Sequence, residues 1–167
     1  MVLQDSEPAA SARLAELGLT LPPVAAPVAA YVPAVRVGEL VYSSGQLPTV
    51  AGQLVATGKV GAEVSVGTAV ECARTAALNG LAAVSDQAGG IDEIERIVRV
   101  VIFVASTPDF TGQPQVGNGA STLIGEIFGE AGRHARSAVG VAVLPLDAPV
   151  EVEVVAQVRS KPSIRPA

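Results

Sequence analysis

Apolar positions recur every three or four residues across one long segment. Val66, Val70, Ala73, Ala77, Leu81, Val84 and Ala88 fall on a single stripe, the period of an amphipathic helix over 64–88. Gly89-Gly90 supplies its stop. A second helix is predicted over 114–129, with Val116, Ala120, Leu123, Ile124 and Ile127 apolar and Gly129 and Gly132 punctuating its end. A different rhythm governs 150–159. There Val150, Val152, Val154, Ala156 and Val158 alternate with Glu151, Glu153, Val155, Gln157 and Arg159, the period of two of a strand with one apolar face. A β-rich segment at 136–144 precedes it, with Pro145-Leu146-Asp147-Ala148-Pro149 between. Residues 94–105, IERIVRVVIFVA, are too continuously apolar for a one-sided strand. They predict a strand buried on both faces. Residues 31–44 predict a hairpin turning at Gly38-Glu39. A loop with a short strand near Leu54-Val55 follows over 49–61.

The order is ββ-α-β-α-ββ, an α+β domain in which one sheet carries both helices on one face. The other face also looks apolar, and two helices cannot cover both, so self-association is expected. Residues 31–160 form this domain. Residues 1–30 read as an N-terminal extension, with a short helix over 11–19 and an extended stretch over 21–30 that carries three prolines. Residues 161–167 read as a flexible tail.

Composition narrows the chemistry. Hydrophobic residues make up 49% and aromatics 3%, so the core is built from Val, Ala, Leu and Ile. A net charge of −5 with only two lysines, Lys59 and Lys161, argues against nucleic acid, which needs a basic footprint. One cysteine, Cys72, and one histidine, His134, make neither an internal disulfide nor a zinc site. Cys72 falls on the first helix's apolar stripe and reads as a small core residue. No apolar run reaches the roughly 18 residues of a membrane span, and the N-terminus lacks a signal pattern. A cytoplasmic protein is expected, with no membrane partner.

Four segments carry a resemblance to a known family. They are Tyr31-Val32-Pro33-Ala34-Val35, Tyr42-Ser43-Ser44-Gly45-Gln46-Leu47-Pro48, Arg136-Ser137-Ala138-Val139-Gly140-Val141 and Val150-Glu151-Val152-Glu153-Val154. In this order, over roughly 28–159, they resemble the RidA/YjgF family, also called the endoribonuclease L-PSP family, in its longer-chain subgroup. The resemblance implies a chorismate-mutase-like fold with a mixed sheet. It also implies a homotrimer with pockets between subunits, and no cofactor or metal. The implied reaction is hydrolytic deamination of small reactive enamine or imine acids, of the 2-iminobutanoate and 2-iminopropanoate kind, to 2-oxo acids and ammonia. The competing reading is a non-catalytic trimer that binds or senses a small carboxylate metabolite in the same pocket. The acidic balance offers little for the endoribonuclease reading.

Arg136 resembles the family's substrate-carboxylate arginine, and a guanidinium fork suits a planar carboxylate. Glu151 resembles the carboxylate that positions the hydrolytic water, since an imine carbon needs a placed water and a proton carrier. The alternative for Glu151 is an outward strand residue like Glu153. Tyr31 and Ser44 resemble pocket hydroxyls, with Ser43 competing for the second role and an edge aromatic the alternative for Tyr31. Gly45 would let a ligand approach the backbone. Asn118 matches a pocket asparagine or, equally, a polar helix-start residue. His134 reads as a surface histidine, with no nucleophile pattern around it. If the last two strands form a simple hairpin, Arg136 faces Gln157 and stands about six residues from Glu151. At ~3.3 Å per residue that is roughly 20 Å, so only different subunits could bring the two together.

Overall fold

Ser65 opens the longest helix by accepting the Thr68 amide on its hydroxyl at 3.1 Å, which satisfies one of the helix's orphan donors. The helix runs Val66–Ala88 and stops at Gly89, whose φ of 96° is left-handed and suits glycine. The structure is a computed structural model that describes residues 8–24 and 30–160. Its elements are α1 (Ala10–Glu16), β1 (Ala34–Val37), β2 (Leu40–Ser43), β3 (Thr49–Val50), β4 (Gln53–Leu54), α2 (Val66–Ala88), β5 (Ile94–Ala105), α3 (Gln113–Phe128), β6 (Ala135–Val141) and β7 (Val150–Val158). The predicted tail and residues 25–29 of the proline-rich stretch lie outside the described residues.

The predicted elements are present. The β1–β2 hairpin turns at Gly38, φ 63°, and the short strand expected near Leu54 is β4, paired with β3. The five-stranded sheet has the order β1-β2-β7-β5-β6. β5 and β6 are parallel and the other neighbours antiparallel, so the sheet is mixed.

The expected pairing of the last two strands is overturned. The last two strands do not pair, because β5 lies between them. Arg136 stands beside Val100 rather than Gln157, and Glu151 beside Phe103. The run β5–α3–β6 is a strand–helix–strand crossover, and a crossover of this length returns the chain parallel.

Both long helices cover one face of the sheet. The even residues of β7, Val150 to Val158, are all buried. An added Cβ on Gly80 of α2 would meet Val154 Cγ2 at 3.0 Å. One on Gly117 of α3 would meet Ala138 Cβ at 3.4 Å and Ile102 Cδ1 at 3.5 Å. Leu81, Ile97, Ile102, Leu123, Ile124 and Ile127 fill the space between, fully buried. Cys72 lies in this core, and burial pushes its thiol up to about 11.

The opposite face is open. Expected to be buried on both sides, β5 is covered on one only, and Val98 on the other is 36% exposed. A trough of about 650 Å³ runs there between Leu40, Tyr42, Val101, Phe103 and Val155, with Arg99 and Glu153 beside them. The N-terminal helix packs on α3 through buried Leu14. Asp92 tethers it, accepting the Ser11 amide at 2.9 Å and the Ser11 hydroxyl at 2.6 Å. No helix among the described residues is long and apolar enough to cross a membrane.

Candidate functional site

The sequence candidates fall into two groups on the two faces of the sheet. Arg136 neighbours Val100, a core residue, and so projects to the helix side at the open edge strand β6. Its Nη1 donates to Asn118 Oδ1 at 2.9 Å and to Ser121 Oγ at 3.2 Å, both one turn apart on α3. Nη1 has two hydrogens, and both are engaged. Among the described residues Nε and Nη2 take no partner. That edge of the guanidinium is the one that can grip a carboxylate side-on. Gly117 brings α3 within reach, since a Cβ there would lie 3.5 Å from Nη1.

Ser121 is bonded onward. Its Oγ lies 3.0 Å from His134 Nε2, and His134 Nδ1 lies 2.6 Å from the Gly132 carbonyl oxygen. A carbonyl can only accept, so Nδ1 carries the hydrogen. In neutral imidazole Nε2 then holds a lone pair and receives the Ser121 hydroxyl proton. The chain of contacts runs Gly132–His134–Ser121–Arg136–Asn118. Ser121, His134 and Arg136 line an open pocket of about 350 Å³ together with Gly125, Gly129 and Gly132. Arg133 at its rim is paired with Glu130 at 3.0 Å.

Sequence reading missed Ser121 and set His134 aside as a surface loop residue. The signal was present in the spacing. Ser121 follows Asn118 by three residues on one helix face, and His134 precedes Arg136 by two, on one side of an extended segment.

Glu151 belongs to the second group. It points to the face of β7 opposite the core, half-buried, beside Gly45. A Cβ added to Gly45 would fall inside the Glu151 carboxylate, so glycine is what lets the side chain lie there. Burial raises the Glu151 pKa above the ordinary 4.5, and the Glu153 charge adds to the rise. The two serines differ. Ser44 Oγ donates to the Val32 carbonyl at 2.6 Å, whereas Ser43 Oγ accepts the Val154 amide at 2.9 Å inside the sheet. Tyr31, beside Val32, is 51% exposed.

The two groups do not meet within one chain. Along β5 the partners Val100 and Phe103 are three residues apart, about 10 Å at ~3.3 Å per residue, and two strand spacings add roughly 10 Å across. That places the Cα atoms of Arg136 and Glu151 roughly 14 Å apart, nearer than a hairpin would. Their side chains leave opposite faces. Among the described residues no group of three or more His, Cys, Asp or Glu is placed to hold a metal ion.

Comparison with known proteins gives a consistent picture. Residues 11–158 match the family described as "YjgF/chorismate_mutase-like, putative endoribonuclease". Protein TCP17 of Trypanosoma cruzi is 43% identical over 153 residues, covering 90% of this chain and 94% of its own. The crystal structure of Atu1372 from Agrobacterium tumefaciens superposes with a TM-score of 0.84 at 44% identity, over 90% of this chain and 92% of that one. That of Escherichia coli TdcF with bound serine does so with a TM-score of 0.59 at 26% identity, over 82% and 94%.

Proposed function

The chain belongs to the YjgF/chorismate-mutase-like family, and from that premise we propose that it hydrolyses small reactive enamine or imine acids to 2-oxo acids and ammonia. The proposal includes a homotrimer whose pockets lie between neighbouring subunits. The observation that carries it is the Arg136 guanidinium. Its Nη1 is tied to α3 by two hydrogen bonds, and its Nε–Nη2 edge is left for a ligand carboxylate. An arginine held in this way loses little freedom on gripping an acid.

The imine carbon of such a ligand is electrophilic already. What it lacks is a water at the right place and a group to move protons. Glu151 of a neighbouring subunit serves that need. Its raised pKa suits a carboxyl that takes a proton from water and gives it to the departing amine. Gly45 opens the space beside it, and Tyr31 and Ser44 stand near the same end of the sheet. Asn118 acts here by holding Arg136. The serine bound to TdcF supports a ligand of amino-acid size and charge. The endoribonuclease in the family's description finds less support in a chain of net charge −5.

The test generates 2-iminopropionate in situ and follows its loss. Arg136→Ala and Glu151→Gln each lower turnover by about 10²–10³. Co-assembled in equal amounts, the two variants regain about one pocket in four if each site draws on two subunits. Failure of the mixture to recover would sink the shared pocket. Wild-type rates in both single variants would sink the deaminase reading altogether. Thermal stabilisation by 2-oxo acids without any turnover would instead favour a carboxylate-sensing trimer.

A further inference from the structure

Imine hydrolysis as described uses Asn118 and Ser121 only to hold Arg136 and leaves the Ser121–His134–Gly132 contacts without a task. Four observations give them one. Ser121 Oγ and His134 Nε2 are 3.0 Å apart, the reach of a nucleophile and its base. His134 is oriented by a third group, the Gly132 carbonyl 2.6 Å from Nδ1, which fixes the tautomer that can accept a proton at Nε2. A serine inside a helix commonly turns its hydroxyl back onto the carbonyl one turn earlier. The recorded partners of this one are His134 and Arg136. Finally, Gly125 follows Ser121 by one turn and Gly129 by two. A Cβ at Gly125 would meet nothing within 4 Å. Glycine in a helix interior costs about 1 kcal/mol against alanine. No packing among the described residues explains it there, and it leaves the approach to the hydroxyl bare.

We propose that Ser121 and His134 form a nucleophile–base pair, giving the pocket a second, acyl-transfer activity toward small carboxylic esters and thioesters. As Ser121 Oγ bonds to the acyl carbon, its proton passes to His134 Nε2 and the carbonyl π pair moves onto oxygen. The Arg136 guanidinium, whose Nη1 donates to Oγ at 3.2 Å and whose Nε and Nη2 take no partner among the described residues, stabilises that oxyanion by its charge. The oxyanion collapses, the bond to the alcohol or thiol breaks, and the leaving group takes the proton from His134. Water then attacks the acyl-serine, giving its proton to His134. The acid departs and the proton returns to Ser121. The sum is ester or thioester plus water to acid plus alcohol or thiol, with no other reactant. This activity does not depend on the deaminase reading or on Glu151.

The experiment treats the full-length protein with a fluorophosphonate and follows the adduct by intact mass and peptide mapping. Wild type gains one adduct per chain, on Ser121. Ser121→Ala gains none, and His134→Gln reacts at least about 100-fold more slowly. Hydrolysis of p-nitrophenyl acetate follows the same order. Melting curves of both variants establish that they are folded. Should either fail to fold, Ser121→Cys with iodoacetamide reads the same activation, because Cys72 is fully buried. A wild-type chain that stays unlabelled, or that is labelled elsewhere or equally fast without His134, overturns the proposal.

Discussion

Glu151 shows how one side chain's surroundings set its chemistry. Its neighbours on the same face of β7 are Glu153 and Val155, and its carboxylate lies over Gly45. Burial and the Glu153 charge raise its pKa in the folded chain above 4.5. The native state therefore holds this proton more tightly than the unfolded chain. Its contribution to stability is whole below the unfolded pKa and is lost as pH rises through the raised one. Glu151→Gln cannot ionise, so it melts higher than wild type at pH 8, and the gain closes as pH falls below about 4.5. For a chain of this length each kcal/mol is worth about 2–4 °C, within reach of scanning fluorimetry. A variant both more stable and inactive would mark a residue kept for its chemistry. Arg136 and Glu151 were candidates in the sequence because their segments resemble the family's motifs. Their company was not readable there: Ser121 meets Arg136 and His134 only because α3 lies over β6.

At the scale of elements, the helices were legible because their period is written within a single segment. The α2 stripe from Ala73 to Ala88 is buried as predicted, although Val66 and Val70 at its start are only half-buried. Neighbouring Ala69, Cys72 and Ala76 widen the buried face, since alanines fit where two helices come close. They come close at Gly119 of α3, where a Cβ would collide with the Val70 backbone carbonyl of α2. Gly119→Ala gains about 1 kcal/mol in helix propensity and loses more, because a backbone atom cannot move aside as a side chain can. A net loss of about 1–3 kcal/mol is expected from overpacking. Gly125→Ala, with open space at its Cβ, keeps the propensity gain. Urea denaturation of the two variants measures the contrast. Strand pairing was the part misread: the alternation in 150–159 is the same whether β7 lies beside β6 or beside β5.

For the whole molecule, the open sheet face is the dominant feature. Val98, Val101, Phe103, Tyr42 and Val155 present apolar surface with no cover from the chain's own helices. A second and third copy of the chain supply that cover in the proposed trimer. Val98 is 36% exposed in the single chain, so Val98→Glu leaves the helix-side core intact. It places a charge where the copies meet, and light scattering should find a monomer in place of a trimer. An unchanged trimer would mean that this face is not the interface. The hydrophobic rhythm by itself determined the number, type and order of the main elements, and the motifs determined the family, because both are encoded in neighbouring residues. Only the tertiary structure decided that β5 parts β6 from β7, that Arg136 and Glu151 leave opposite faces, and that Ser121 and His134 stand behind the arginine. Those facts depend on which segments pack together, and packing is a sum over the whole chain that no local pattern contains.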